Sequence, residues 1–138
     1  MALTAGFPVA RRGASRGNDF GYPVAAGEKV YRGGICALTP AGAIVRPQTA
    51  GATIAAGVAD RDLDNTASAA VSSIAVVALR GCFALTVPAA TPANIGAPVY
   101  ATDDGTLTLT LPTTGFTAAI GTLSGIDNGQ TYVLMAGS

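Results

Sequence analysis

The sequence predicts an all-β protein: a single β-sandwich, jelly roll or small β-barrel over residues 19–138, preceded by an extended arm over residues 1–18. Three observations carry this expectation. Apolar residues make up 49% of the chain and come mainly from Ala, Val, Leu and Ile, whereas charged residues make up 12%, too few to solvate a set of long amphipathic helices. Eighteen glycines and eight prolines divide the chain into short runs separated by turns. Residues 106–111, Thr-Leu-Thr-Leu-Thr-Leu, alternate strictly with the period of a strand. A chain of 138 residues builds one core, removing roughly 68–70% of its unfolded surface from water.

The arm comes first. Residues 1–18 are small and polar, broken by Gly13 and Gly17, and their only charges are Arg11, Arg12 and Arg16. Such a stretch cannot bury a core of its own. Phe7, Pro8 and Val9 nonetheless form an apolar cluster, and guanidinium groups bind carboxylates through paired hydrogen bonds. Phe7, Val9, Arg11, Arg12 and Arg16 are therefore the candidate partner-binding residues.

Strands are expected next at residues 20–24, 29–32 and 35–38, with Gly33-Gly34 as a hairpin turn between the last two. Residues 43–46 and 53–59 continue the series. The run 73–85 is interrupted only by Arg80 and Gly81, which suits a strand pair or one bent central strand. Residues 97–101 lead into Thr102-Asp103-Asp104-Gly105, an Asp-Gly hairpin signal, and the alternating strand after it should bury Leu107, Leu109 and Leu111. Residues 118–123 and 131–135 close the chain around the turn Asp127-Asn128-Gly129. Residues 67–71 offer one short helical turn at most.

An internal echo accompanies this map. Gly27 to Tyr31 and Gly96 to Tyr100 share the pattern Gly-x-x-Val-Tyr, followed later by Ala56-Gly57 and Ile120-Gly121. Two similar half-barrels or sheets would produce it.

Composition argues against several function classes. Eight basic and eight acidic residues balance, and every Lys and Arg lies at or before Arg80, so no concentrated basic face recommends nucleic acid as a partner. No run reaches the roughly 18–20 apolar residues of a membrane span, and the first ten residues lack the pattern of a secretory leader. Cys36 and Cys82 are read as buried thiols of a protein made in a reducing cytosol.

Catalytic chemistry finds little support. The chain has no histidine, hence neither the commonest base near neutral pH nor the commonest zinc ligand. Residues 60–65, Asp-Arg-Asp-Leu-Asp-Asn, resemble the start of a calcium loop, but Asn65 and Val71 stand where such a loop requires Gly and Glu. A polar loop whose Asp and Asn side chains support turns is the expectation there. Ser and Thr abound without a base to activate them or a Gly-x-Ser-x-Gly elbow. The reading is a non-enzymatic protein without cofactor or metal.

The runs VALRGCFALTVPA (residues 77–89), NIGAPVYATDDGTLTLT (94–110) and AIGTLSGIDNGQTYVLM (119–135) resemble the capsid cement, or head-decoration, proteins of tailed bacteriophages. The resemblance spans residues 57–135 and is one of strands and turns. It implies a structural virion protein made in the host cytoplasm and carried on the outer capsid surface. There it would bridge neighbouring copies of the major capsid protein and associate with itself as a homodimer or homotrimer. The alternatives are a carbohydrate- or surface-binding β-sandwich module, for which the four Phe and four Tyr would have to supply platforms, and a tail or fibre component.

Overall fold

In the computed structural model, which describes residues 2–7, 11–12 and 19–135, the predicted strands form without any α-helix among those residues. The chain runs through β1 (Arg11–Arg12), β2 (Phe20–Pro23), β3 (Lys29–Val30), β4 (Ile35–Leu38) and β5 (Ile44–Val45). It continues through β6 (Ile54–Ala59), β7 (Leu63–Asp64), β8 (Ala75–Leu79) and β9 (Cys82–Ala84). A single 3-10 turn at Pro92–Asn94 precedes β10 (Pro98–Asp103), β11 (Thr106–Thr108), β12 (Ala119–Asp127) and β13 (Gln130–Met135). Residues 67–71 form turns and bends rather than a helical turn. Among the described residues no helix is long and apolar enough to cross a membrane.

Two antiparallel sheets stack as a sandwich. One has the order β2-β8-β6-β4-β5 and the other β1-β9-β13-β12-β10-β11, while β3 and β7 pair separately as a ribbon. Ile35, Ala37, Val45 and Val58 of the five-stranded sheet share a core with Phe83, Val99, Leu107, Leu123 and Val133 of the six-stranded one. The opposite face of the five-stranded sheet, carrying Cys36, Leu38, Ile44, Val76 and Ala78, packs under Val30 of the ribbon and Val24. Burial on both faces explains why β4 and β5 read as unbroken apolar runs, whereas the six-stranded sheet is buried on one face only and alternates.

Several turns form as the sequence predicts. Asp103 accepts from the Gly105 amide at 2.8 Å to close the β10–β11 hairpin. Asn128 and Gly129, at φ 51° and 78°, turn β12 into β13 with the two positive φ values that such a tight hairpin needs. Three expectations are corrected. Gly33-Gly34 makes a turn but no hairpin, because β3 pairs with β7 and β4 pairs with β5 and β6. The run 73–85 is neither a strand pair nor a strand within one sheet. It leaves the five-stranded sheet as β8, bends at Arg80-Gly81 and enters the six-stranded sheet as β9. The alternating strand stops at Thr108, so Leu107 is buried and Leu109 half-buried, but Leu111 is 58% exposed. Alternation sets which side chains share a face, but pairing with β10 ends too early to carry Leu111 into the core.

The internal echo is a duplication of topology. With β1 set aside, the order β9-β13-β12-β10-β11 repeats β2-β8-β6-β4-β5, each strand in the same chain sequence. Register repeats as well. Cys36 faces Gly57 and Ala37 faces Ala55 across one bulge; Val99 faces Gly121 and Tyr100 faces Ala119 across the other. Gly33 (φ 81°) donates to the Ala59 carbonyl at 3.0 Å, and Gly96 (φ 90°) donates to that of Leu123 at 2.8 Å. Thus Gly57 and Gly121 correspond as the sequence suggests, but the partner of Gly96 is Gly33 and not Gly27.

The two halves face the same way in the stack. Val99, Ala101, Leu107 and Val133, which face the shared core, are register mates of Cys36, Leu38, Ile44 and Ala78, which face the ribbon. Conversely, Ile35, Ala37, Val45, Val58 and Leu79 of the shared core correspond to Pro98, Tyr100, Thr108, Thr122 and Leu134 on the outside of the six-stranded sheet.

Candidate interaction surfaces

The described part of the arm lies along its own subunit. The Leu3 amide donates to Asp104 Oδ1 at 3.0 Å and the Phe7 amide to the Arg32 carbonyl at 2.8 Å. The Phe7 ring, 41% exposed, edges an open cavity of about 300 Å³ lined by Ile35, Leu85, Leu107 and Gln130. Arg11 and Arg12 lie opposite Phe83 and Cys82 as strand β1, which extends the six-stranded sheet past β9. The side chains of Arg11 and Arg12, and the whole of Val9 and Arg16, lie outside the described residues, so Phe7 is the one candidate of the five whose surroundings are seen.

Asp104 holds this region together and escapes a sequence reading. It follows the turn-capping Asp103, yet it is only 2% exposed. Its Oδ1 also accepts from Gln48 Nε2 at 3.2 Å, and its amide donates to Gln48 Oε1 at 3.1 Å, while Oδ2 is buried without a hydrogen-bond partner. The only hint in the sequence is that an Asp-Asp-Gly turn needs one carboxylate for capping and has two.

Glu28 is the second buried carboxylate, 4% exposed. It accepts from the amides of Lys29 and Arg46, from Arg46 Nε at 3.0 Å and from the Thr49 hydroxyl, and it pairs with the Arg46 guanidinium at 2.8 Å. Burial alone would push its pKa up, but the Thr49 hydroxyl, the two amides and the Arg46 charge together hold it below the ordinary value. The sequence places Lys29 beside Glu28; the structure gives the charge pairing to Arg46 instead, which follows β5 and lies three strands further along the chain.

In the Asp-rich stretch 60–65 each carboxylate serves a different donor. Asp60 accepts from the Val77 amide at 2.9 Å, Asp62 from that of Arg32 at 2.7 Å and Asp64 from that of Thr66 at 3.0 Å. Asn65 bridges the carbonyls of Val24, Ala25 and Ala70. Only Asp64 plays the local turn-supporting role expected of this stretch; Asp60, Asp62 and Asn65 tie it to distant backbone instead, and Leu63–Asp64 is strand β7 rather than loop. Between residues 47–52 and 112–116 a shallow groove of about 640 Å³ is lined by Thr49, Thr113 and Thr114, with Phe116 at its floor in the core.

The cysteines lie on opposite sides of the molecule's layers. Cys36 is wholly buried, which pushes its thiol pKa up to about 12. Cys82 is not fully buried as expected but half-buried on the outward face of the six-stranded sheet, because it sits one residue out of phase with the inward-facing Phe83. On that face Thr122 is exposed and Leu134 is 39% exposed, with Tyr100 and Thr108 half-buried beside them. No family model matches the chain, and neither a curated protein nor a solved structure matches it.

Proposed function

We propose that this protein is a structural component of a virion that binds the outside of an icosahedral shell and cements adjacent major capsid protein subunits. The observation that carries this reading is how the polar groups are spent. Glu28, Asp104 and the carboxylates of residues 60–64 are committed to internal amides and to Arg46 or Gln48, which leaves outer contact area as the chain's main resource. A cement protein needs such area, repeated over a symmetric lattice so that modest contacts add through avidity. In this role the arm is the first contact. Phe7 presents apolar surface beside the cavity it edges, and the apolar Val9 with the guanidiniums of Arg11, Arg12 and Arg16 gives the arm a composition suited to contact with a capsid or a neighbouring copy. The protein acts without catalysis, cofactor, nucleic acid or membrane.

Co-sedimentation with empty shells assembled from the major capsid protein tests the proposal. Saturable binding in fixed ratio to the capsid subunit is expected, and removal of residues 1–18 should abolish it while the two-sheet body still melts cooperatively. Unchanged occupancy by the shortened chain would rule out the arm's role. No binding by the intact chain, with retention on a glycan array, would replace the proposal by the carbohydrate-binding alternative.

A further inference from the structure

We infer that the cavity edged by Phe7, between the end of β9 and β11, is a binding site for a primary alkylammonium group. The internal duplication explains why the fold is open there. In the first repeat the outer edge of β5 is closed: Val24 bridges Ile44, and the Ala25 amide donates to the Ile44 carbonyl at 3.0 Å. The matching seam of the second repeat lies between the residues that follow β9 and β11, where Leu107 is the counterpart of Ile44. Counting on from the matched positions Phe20 and Phe83, Pro88 stands in the place of Ala25. Proline has no N–H to donate, so this seam cannot close in the same way. It opens instead into the cavity of about 300 Å³ between Leu85 and Leu107.

The walls of the cavity select the guest. Ile35, Leu85 and Leu107 give it an apolar lining, and Asp104 is the one charged residue among the described residues that line it. Of the two buried carboxylates, Glu28 has the Arg46 guanidinium beside it, whereas Asp104 has no cation among the described residues and its Oδ2 has no hydrogen-bond partner. A buried charge without a counterion is costly, so the site favours a cation. Oδ1 is already taken by the Leu3 amide and Gln48 Nε2, which leaves a single carboxylate oxygen. A guanidinium binds best through two oxygens side by side, but an ammonium is satisfied by one. Gln130 gives its Nε2 to the Thr131 carbonyl at 3.0 Å, leaving Oε1 as a second acceptor on the cavity wall. The apolar lining takes the alkyl stem. Leu3 is the lid: its Cδ1 and the Asp104 Cβ lie together over Gly34, so an ammonium that reaches Oδ2 displaces the Leu3 side chain.

This inference goes beyond the cementing role and is tested without any shell, so the two can fail separately. Titration of the full chain with n-butylamine at pH 7, followed by NMR, should show saturable shifts of the Leu85 and Leu107 methyls and of the Leu3 amide. The dissociation constant should be about 1–10 mM, as suits so small a ligand. The neutral isostere n-butanol should bind at least about tenfold more weakly, and so should n-butylguanidinium. Asp104→Asn keeps an acceptor for Leu3 and Gln48 but removes the charge, and should abolish the preference for the amine over the alcohol. Should that variant fold poorly, the comparison of amine with alcohol in the unmodified chain decides alone. Nα-acetyl-lysine methylamide identifies the source: binding as tight as that of butylamine assigns the site to a lysine side chain of a partner protein, and its exclusion assigns the site to free amines. Absence of saturable shifts, equal binding of amine and alcohol, or an amine preference that survives in Asp104→Asn would each overturn the inference.

Discussion

Gly121→Ala is expected to be among the most damaging single-methyl additions in the protein. A Cβ built on Gly121 collides with the Leu134 carbonyl and closes on the Met135 Cα, both backbone atoms of the neighbouring strand β13. Backbone held in a ladder cannot swing aside as a side chain can, so β12 and β13 must part locally. Losing two ladder hydrogen bonds at about 1 kcal/mol each, with an overpacking cost of about 1–3 kcal/mol, gives a loss of about 3–5 kcal/mol. For a domain of this size each kcal/mol moves the melting temperature by about 3–6 °C, a drop large enough for calorimetry to resolve without ambiguity. Gly125, four residues along β12, has no atom within 4 Å of where an added methyl would sit, and Gly125→Ala should be neutral or stabilising by up to about 1 kcal/mol. Gly57 occupies the duplicated position, would collide with the Leu79 carbonyl and adds a φ of 152°, so Gly57→Ala should cost at least as much as Gly121→Ala. Urea and thermal unfolding of the three variants check the set. A Gly121→Ala protein within about 0.5 kcal/mol of the parent would refute both the register of β12 on β13 and the duplication argued from it.

Leu107→Ala should cost about 2–5 kcal/mol because Leu107 lies in the shared core, while Leu111→Ala should be near neutral; equal costs would contradict the end of β11 at Thr108. Glu28 titrates in the folded protein below its ordinary value of 4.5, so its stabilising contribution is complete above that pH and is lost as pH falls through the lower folded value. Glu28→Gln should therefore be destabilised by about 1.5–3 kcal/mol at neutral pH and show a flatter acid limb in pH-dependent melting; an unchanged acid limb would remove Glu28 from that role.

The strand map was legible because its signals are local. The alternation that starts at Thr106, the Asp-Gly and Asn-Gly turns and the β-branched run before Arg80 each act over a few residues, and the structure realises them, although β11 ends at Thr108. Register over distance was not legible. The repeated Gly-x-x-Val-Tyr pattern points from Gly96 to Gly27, while hydrogen bonding gives Gly33 that place, since the residues that close a strand pair need not be those whose neighbours look alike. The ion pair of buried Glu28 with half-buried Arg46 and the Asp104–Gln48–Leu3 clasp join residues far apart in the chain, and only folding makes them neighbours.

Sequence by itself determined that this chain is all-β, where most of its strands and turns lie, and that chemistry needing histidine is closed to it, because composition and short-range periodicity are properties of neighbouring residues. The tertiary structure alone decided that β8 and β9 part into different sheets, that Cys82 faces outward, and that two repeated sheets stack the same way up. Which face of a strand is covered depends on what packs against it, and in a sandwich that partner comes from the other half of the chain.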